Sequence, residues 1–388
     1  MITRIFVLLL LVIILPQIYI DRRKWRQRKA WMRVLRWLPA LLMSVWTLSF
    51  LFNRDFVPQD MTPLNLYLLV FGAVFAPRAL YVLCSAVGHW ARRTSRGRYN
   101  WGNLVGLILS FLLIYFVLYG SFVGVRRLNV NRMEISVKDL PKEFDGYKIV
   151  LFSDAHVGSF TGWQKSLLKR DIDTINAQQP DVIFFAGDLQ DQRPSELYPV
   201  QDILSSLKAR DGVFSVLGNH DYGDYIDADP AIKAANKREI VSKQRQFGWK
   251  PLNNEHAVIQ RGGARLVVAG VENDAIRGEA IRRHDLPKAL DGIKEDDCVI
   301  LLQHDPSLWR QETLPNSQVQ LTLSGHTHGG QVSLFGFRAT QFTAKEDYGL
   351  YREGDRQLYV TCGIGGLVPF RFGVTPEIAV ITLKRIKN

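Results

Sequence analysis

The chain has 388 residues and three cysteines, Cys84, Cys298 and Cys362, with no CxxC pair. That length leaves room for two domains, and the cysteine count removes disulfide scaffolds and zinc fingers. The formal charge is +12, yet of 49 Lys and Arg and 37 Asp and Glu, residues 1–127 hold 17 and 3, leaving 32 and 34 for the remainder. The positive excess lies among long apolar runs, which points to a membrane and away from nucleic acid.

Four apolar segments, near residues 3–20, 37–52, 61–88 and 103–124, predict a membrane domain over residues 1–127 with about four transmembrane helices. The first reads as an anchor and not as a cleaved leader. No small-x-small site follows it, and the next residues, "DRRKWRQRKAWMRVLRW", are strongly basic. Residues 22–36 contain eight Lys or Arg and residues 92–98 four more, whereas the loop at 53–60 has one Arg and two Asp. The positive-inside bias places both basic loops in the cytoplasm, so the chain after the fourth span is expected outside it, on a multi-pass protein of the cell (inner) membrane. Arg78 interrupts the third segment. Reading that span as 61–77, with Pro77-Arg78 at the cytoplasmic border and 79–90 in the interface, keeps the charge out of the bilayer. No transport pathway is then expected.

From residue 128 the texture changes to short apolar runs alternating with polar, helix-length segments, an α/β pattern. Strands are predicted at 147–154, 181–188, 212–221, 265–273, 298–305 and 319–328, with helices at 162–180, 195–208 and 231–247. Five of the strands end in polar clusters: Asp154 with His156, Asp188, Asn219-His220-Asp221, His304-Asp305, and His326-Thr327-His328. A lone D-x-H, or a GD after a strand, is ordinarily a turn or a cap. Five in order at strand carboxyl ends converge on the place where α/β sheets bind ligands. Five of the eight histidines fall there; His89, His256 and His284 do not and receive no role. Carboxylate, imidazole and amide oxygen without thiolate suit Mn²⁺, Fe²⁺ or Zn²⁺ in a catalytic setting. The donors are numerous enough for two ions sharing a carboxylate, an arrangement suited to phosphoryl transfer to water. No cysteine or serine nucleophile stands among them, so no phosphoenzyme is expected.

"SDAHVG", "GDLQD", "GNHD", "LLQHDP" and "GHTHGGQ" resemble, in order, the five signature blocks of the calcineurin-like metallophosphoesterases. The tail "YVTCGIGGLVPFRFGVTPEIAVITL" is similar to the bacterial membrane-associated or exported phosphodiesterase branch typified by YaeI and YkuE. The likeness spans about residues 146–384. It implies a four-layer α/β/β/α domain over residues 128–388 that hydrolyses a phosphate ester through hydroxide generated at two divalent ions, Mn²⁺ first, with Fe²⁺ or Zn²⁺ as alternatives. By the same resemblance Asp154, His156 and His328 hold one ion, Asn219, His304 and His326 the other, and Asp188 bridges them. His220 protonates the leaving oxygen with Asp221 orienting it, Gly329 and Gly330 offer backbone to substrate, and Arg371 meets a phosphate from the "PFRF" loop.

The membrane address suggests a lipid or envelope-linked phosphate ester. Nucleic acid is not expected, because the soluble part has no positive excess; the basic helix at 231–247 reads as a solvated face. Two rivals stay open. A UDP-diacylglucosamine pyrophosphatase would meet its substrate in the cytoplasm, against the expected topology. A non-catalytic scaffold would have eroded ligands, and here none is substituted. The sequence gives no indication of oligomeric state.

Overall fold

The apolar segments form helices: α1 (Ile2–Ile20), α2 (Ala30–Ser49), α3 (a continuous run through Thr62–Val70, Phe71–Phe75 and Ala76–Thr94) and α4 (Trp101–Phe122). The computed structural model describes residues 2–52, 60–160, 162–274 and 281–386, so the sequence-read loop at 53–59 lies outside the described residues. Four helices among the described residues are long and apolar enough to cross a membrane. The chain divides into two units, Met1–Val123 and Gly124–Asn388, a few residues before the boundary read from sequence.

In the first unit the exterior is apolar, with Leu8, Leu41, Phe111 and Leu112 exposed, as a lipid-facing surface requires. Helices α3 and α4 pack at close range through a small-residue stripe. A Cβ on Gly106 would lie 2.9 Å from Cys84 Cβ, and one on Gly102 would overlap the Cys84 carbonyl. That is the G-x-x-x-G contact that lets apolar helices associate where burial from water supplies no drive. The helix that carries the third apolar segment continues past Pro77, so the border expected at Pro77-Arg78 falls within one helix. A π-helical stretch at Phe71–Phe75 precedes Pro77, which sits in the first turn of the following α-helix, and the run continues to Thr94. Proline lacks an N–H and is tolerated at such a position. Arg78 is satisfied inside the unit by donating to Gln17 Oε1 at 2.9 Å, while Gln17 Nε2 donates to the Arg36 carbonyl at 3.1 Å.

The second unit is built on two six-stranded mixed sheets. In the first the order is β1 (Asn129–Val137), β14 (Glu377–Arg385), β2 (Lys148–Phe152), β3 (Val182–Phe185), β4 (Val213–Ser215), β5 (Trp249–Pro251). In the second it is β12 (Gly349–Glu353), β13 (Arg356–Val360), β9 (Leu321–Ser324), β8 (Cys298–Leu302), β7 (Ala264–Gly270), β6 (Glu255–Arg261). A short hairpin, β10 (Ser333–Leu334) and β11 (Phe337–Arg338), stands apart. Strands β2 to β5 run parallel, as do β7, β8, β9 and β13; β14 is antiparallel to β2.

Strand alternation sorts the apolar side chains into layers. Ile149, Leu151, Val182 and Phe184 of the first sheet meet Leu266, Ile300, Leu302 and Leu323 of the second in one buried core. Their neighbours Val150, Phe152, Ile183 and Phe185 face Leu168, Ile172 and Ile175 of α5 (Lys165–Ala177) and Ile240 of α6 (Pro230–Gln246). On the far side Val299 and Leu301 pack on Leu286 and Ala289. These are the four layers expected. The helix expected at 195–208 is instead a 3₁₀ stretch (Pro194–Val200) and one α-turn (Gln201–Leu204), since Pro199 removes an N–H donor from its interior.

Candidate metal centre

Every polar cluster read from the sequence lies just past the carboxyl end of a strand. Three come from the first sheet, after β2, β3 and β4, and two from the second, after β8 and β9. Leaving an extended strand abruptly forces unusual backbone: Asp154, His156, Asp188, His326 and His328 all have positive φ, between 47° and 75°. Residues with a Cβ reach that region at a cost of about 1–3 kcal/mol each, and such strain collects at functional sites.

The side chains then meet. Asp154, His156 and His328 bring ligand atoms within 4.8 Å of one another, and so do Asp188, His304 and His326. Asp188 lies between the groups, its Oδ2 3.1 Å from His304 Nε2 and 3.7 Å from His156 Nε2. His304 donates Nδ1–H to the Ala186 carbonyl at 2.7 Å, which turns Nε2 toward Asp188, toward Asn219 Oδ1 at 3.1 Å and toward His326 Nδ1 at 3.3 Å. Three acceptors therefore gather around the one nitrogen, His304 Nε2, whose proton a cation would replace. In addition His156 Nε2 and His328 Nδ1 are buried with no hydrogen-bond partner. Buried acceptors and orphaned imidazole nitrogens in such a cluster are costly without a cation, so the donor set fits divalent ions.

The electrostatics agree. Burial holds His156, His326 and His328 below the usual imidazole range, hence neutral and able to coordinate. At Asp188 burial works upward, but His304, His220 and His156 outweigh it and keep the carboxyl well below the carboxylate norm. For His304 burial works downward, and Asp188 reverses it, raising the imidazole to about 10.

Several sequence-read residues have different partners from those expected. Asp221 does not orient His220: its carboxylate accepts from the backbone N–H of Gly218, Asp188, Leu189 and Gln190 at 2.9–3.2 Å, fastening the two ligand loops together. His220 is held instead by its Nδ1 on the Asp191 carbonyl at 2.6 Å and by the Tyr225 ring, stacked 4.4 Å away. Arg371 is buried, and its guanidinium donates to the carbonyls of His328 (3.1 Å), Cys362 (2.9 Å) and Gly365 (2.5 Å), bracing the loop behind the site. The N–H groups of Gly329 and Gly330 go to the Thr327 Oγ1 and carbonyl, at 3.2 and 2.8 Å, within their own turn.

Two residues escaped the sequence reading. Asp191 accepts from His156 Nδ1 at 3.1 Å, the carboxylate–imidazole arrangement that leaves Nε2 free for a metal; burial pushes its own carboxyl up to about 8. It is the last residue of "GDLQD", so the signal was present as a second acid three positions after Asp188. Tyr225 accepts from Asn219 Nδ2 at 2.8 Å, which fixes the amide so that Oδ1 points at His304. No local pattern marks it.

Residues 147–330 match the family described as "Calcineurin-like phosphoesterase". Over 273 residues the chain is 32% identical to the metallophosphoesterase YkuE of Bacillus subtilis, covering 69% of this chain and 89% of that one. The chain belongs to the calcineurin-like phosphoesterases. Residues 3–125 match a separate family, "Probable Calcineurin-like phosphoesterase, transmembrane domain", so this metallophosphoesterase is a membrane protein with a family-specific helical domain. A Danio rerio "Transmembrane protein with metallophosphoesterase domain" is 31% identical over 293 residues, 73% of this chain and 63% of its own length; the chain thus spans under two thirds of that relative. A Helicobacter pylori (strain ATCC 700392 / 26695) metallophosphoesterase is 27% identical over 351 residues, 88% of both chains.

Two outcomes are expected. Because His304 sits near pH 10 with protein charges alone, it carries a proton at pH 8 that a cation must displace. Binding of Mn²⁺ at that pH should release about one proton from it, read from calorimetric heats in buffers of differing ionisation enthalpy; no release contradicts the assignment. Asp191→Ala keeps the carbonyl that holds His220 but frees His156, and should weaken Mn²⁺ affinity about 10–100-fold, while unchanged affinity denies Asp191 this part.

Proposed function

We propose that this phosphoester hydrolase acts on a phosphate ester at the outer side of its membrane, using two divalent cations. Asp154, His156 and His328 would hold one cation, Asn219, His304 and His326 the other, and Asp188 both. Bound there, such ions supply Lewis-acid polarisation of phosphoryl oxygens and acidification of water. The observation that carries the reading is the convergence of Asp188 Oδ2, Asn219 Oδ1 and His326 Nδ1 on His304 Nε2 within 3.3 Å.

The chain's own residues supply the rest. The Asp221 carboxylate and four backbone N–H groups fix the His220 loop against the Asp188 loop. With Nδ1 engaged by the Asp191 carbonyl, the other ring nitrogen of His220 is left to hand a proton to the leaving oxygen. Burial depresses His220, which favours release of that proton once it is carried. His220, His326 and His328 are the partly exposed members of the set, so substrate reaches them first. The extracytoplasmic placement rests on the loop charges, eight Lys or Arg in 22–36 and four in 92–98.

Two experiments test this. Stripped of metal, the full chain should not hydrolyse bis-p-nitrophenyl phosphate; Mn²⁺ should restore turnover, and Asp188→Asn should lower kcat/KM by roughly 10²–10³-fold. Hydrolysis indifferent to chelation or to this variant would sink the dimetal reading. A topology reporter joined after Asn388 should read extracytoplasmic, and a cytoplasmic signal would instead move the substrate to a lipid-linked pyrophosphate inside the cell.

A further inference from the structure

Directly after the ligands His326 and His328, the chain forms the β10–β11 hairpin, whose composition is unusual for a soluble surface. Its two-residue turn is Phe335-Gly336, with φ of 53° and 88°, a primed turn in which Asn or Gly is the ordinary first residue. Phe335 is fully exposed, Phe337 71% and Phe342 85% exposed, and Leu334 about half. Leu334 and Phe337 are direct cross-strand partners, so they share one face. Residues 329–342 contain no Asp or Glu, and the single cation, Arg338, is engaged by Asp347 at 2.7 and 3.0 Å. A bulky aromatic in a left-handed turn, flanked by further exposed aromatics, gains nothing from water and calls for an apolar occupant.

The base of the hairpin indicates which occupant. Ser333 N–H donates to the Phe372 carbonyl at 2.7 Å and Phe372 N–H to the Gln331 carbonyl at 2.9 Å, binding the hairpin to the 371–373 loop. The Arg371 carbonyl in that loop packs so tightly on Gly124 that no Cβ fits. The last spanning helix ends at Phe122, two residues earlier, and two residues reach at most about 7 Å. Whatever the angle at that joint, Gly124, on which the 371–373 loop packs, is covalently two residues from the end of the last apolar helix.

We propose that the Leu334–Phe342 segment docks its aromatic side chains into the lipid bilayer and so holds the metal centre at the membrane surface, open to phosphate esters carried by amphiphiles. This rests on the function proposed above, and names the substrate class it would take. Gly330 lets the turn after His328 pack closely on Thr340 of this segment, its Cβ position lying 3.0 Å from Thr340 Oγ1.

The test uses the full chain in phosphatidylcholine proteoliposomes. Phe335→Cys carries an environment-sensitive fluorophore, with Asp355→Cys, on an exposed turn at the opposite end of β13, as the comparison. The parent chain, whose Cys298 and Cys362 are buried and Cys84 half-buried, is treated identically for background. Brominated acyl chains should quench the label at 335 by at least about twofold and leave 355 unaffected. Equal, weak quenching at both positions overturns the proposal. A label at 335 shielded from aqueous quencher only at high protein density, and not quenched by lipid, assigns the patch to a second copy and also overturns it. Hydrolysis of bis-p-nitrophenyl phosphate by the same labelled protein reads the metal centre separately. Its loss would count against the enzymatic reading, with the quenching result still deciding the hairpin.

Discussion

The carboxylate of Asp188 is the point on which the second unit turns. It sits in left-handed backbone, accepts from the His220 N–H at 2.8 Å and faces imidazole nitrogens of both ligand groups. A side chain on Gly218 would collide with it, and its own N–H is fastened by Asp221. An ionised group so deeply buried is tolerable only where opposite charge and hydrogen bonds surround it. Here the protein provides imidazoles on several sides, with His304 Nε2 3.1 Å and His156 Nε2 3.7 Å from the carboxylate. The two-sheet architecture follows from that need: β3 delivers Asp188, but His304 and His326 arrive from the other sheet, and only a tightly packed intersheet core can hold donors from both within hydrogen-bonding distance.

The same architecture explains why the site was legible from sequence and where legibility stopped. A strand end followed by Asp or His is a local signal, and five in order mark the candidate ligands because strand direction fixes which end they share. The direction of a side chain's hydrogen bonds is not local. Asp221 follows His220 in the chain, so adjacency suggests that it orients the imidazole; in fact left-handed Asp188 brings the N–H groups of residues 188–190 within its reach, and these claim it. Arg371 misleads similarly. An arginine near a phosphoesterase site suggests an anion, yet the loop after β13 exposes unpaired carbonyls at 362 and 365 that would be orphaned in the interior without its guanidinium. Tyr225 lies outside every motif and acts through an amide whose orientation no pattern encodes.

The strands missed in the reading have a related cause. β14 enters the first sheet between β1 and β2, pairing parallel with one and antiparallel with the other, though it lies more than two hundred residues along the chain. Sequence periodicity reports that such a run is a strand but not that the sheet needs it in the middle. Its first residue, Glu377, carries weight of its own, accepting from the hydroxyls of Tyr348 (2.5 Å), Tyr359 (2.7 Å) and Thr361 (3.1 Å). That buried carboxylate ties β13 and β14 together behind the loop that passes Asp154. In the membrane unit the helix runs on through a proline and an arginine, with a π-helical stretch upstream and a glutamine on a neighbouring helix accepting from the guanidinium.

Burial varies across the metal centre, and this divides the chemistry from its selectivity. Asp154, His156, Asp188, Asn219 and His304 are almost wholly inaccessible, while His220, His326 and His328 meet solvent. Change among the buried five leaves an unpaired acceptor in a low-dielectric interior, so their identities are tightly constrained. Around the exposed three the constraint loosens. The β10–β11 hairpin follows His328 directly and is bridged at its base to the 372–373 turn. One buried donor set can therefore serve unrelated phosphate esters while the rim decides which of them arrives. In this chain the hairpin after His328 is aromatic and free of acid, and its base is fastened one residue from the place where Gly124 packs.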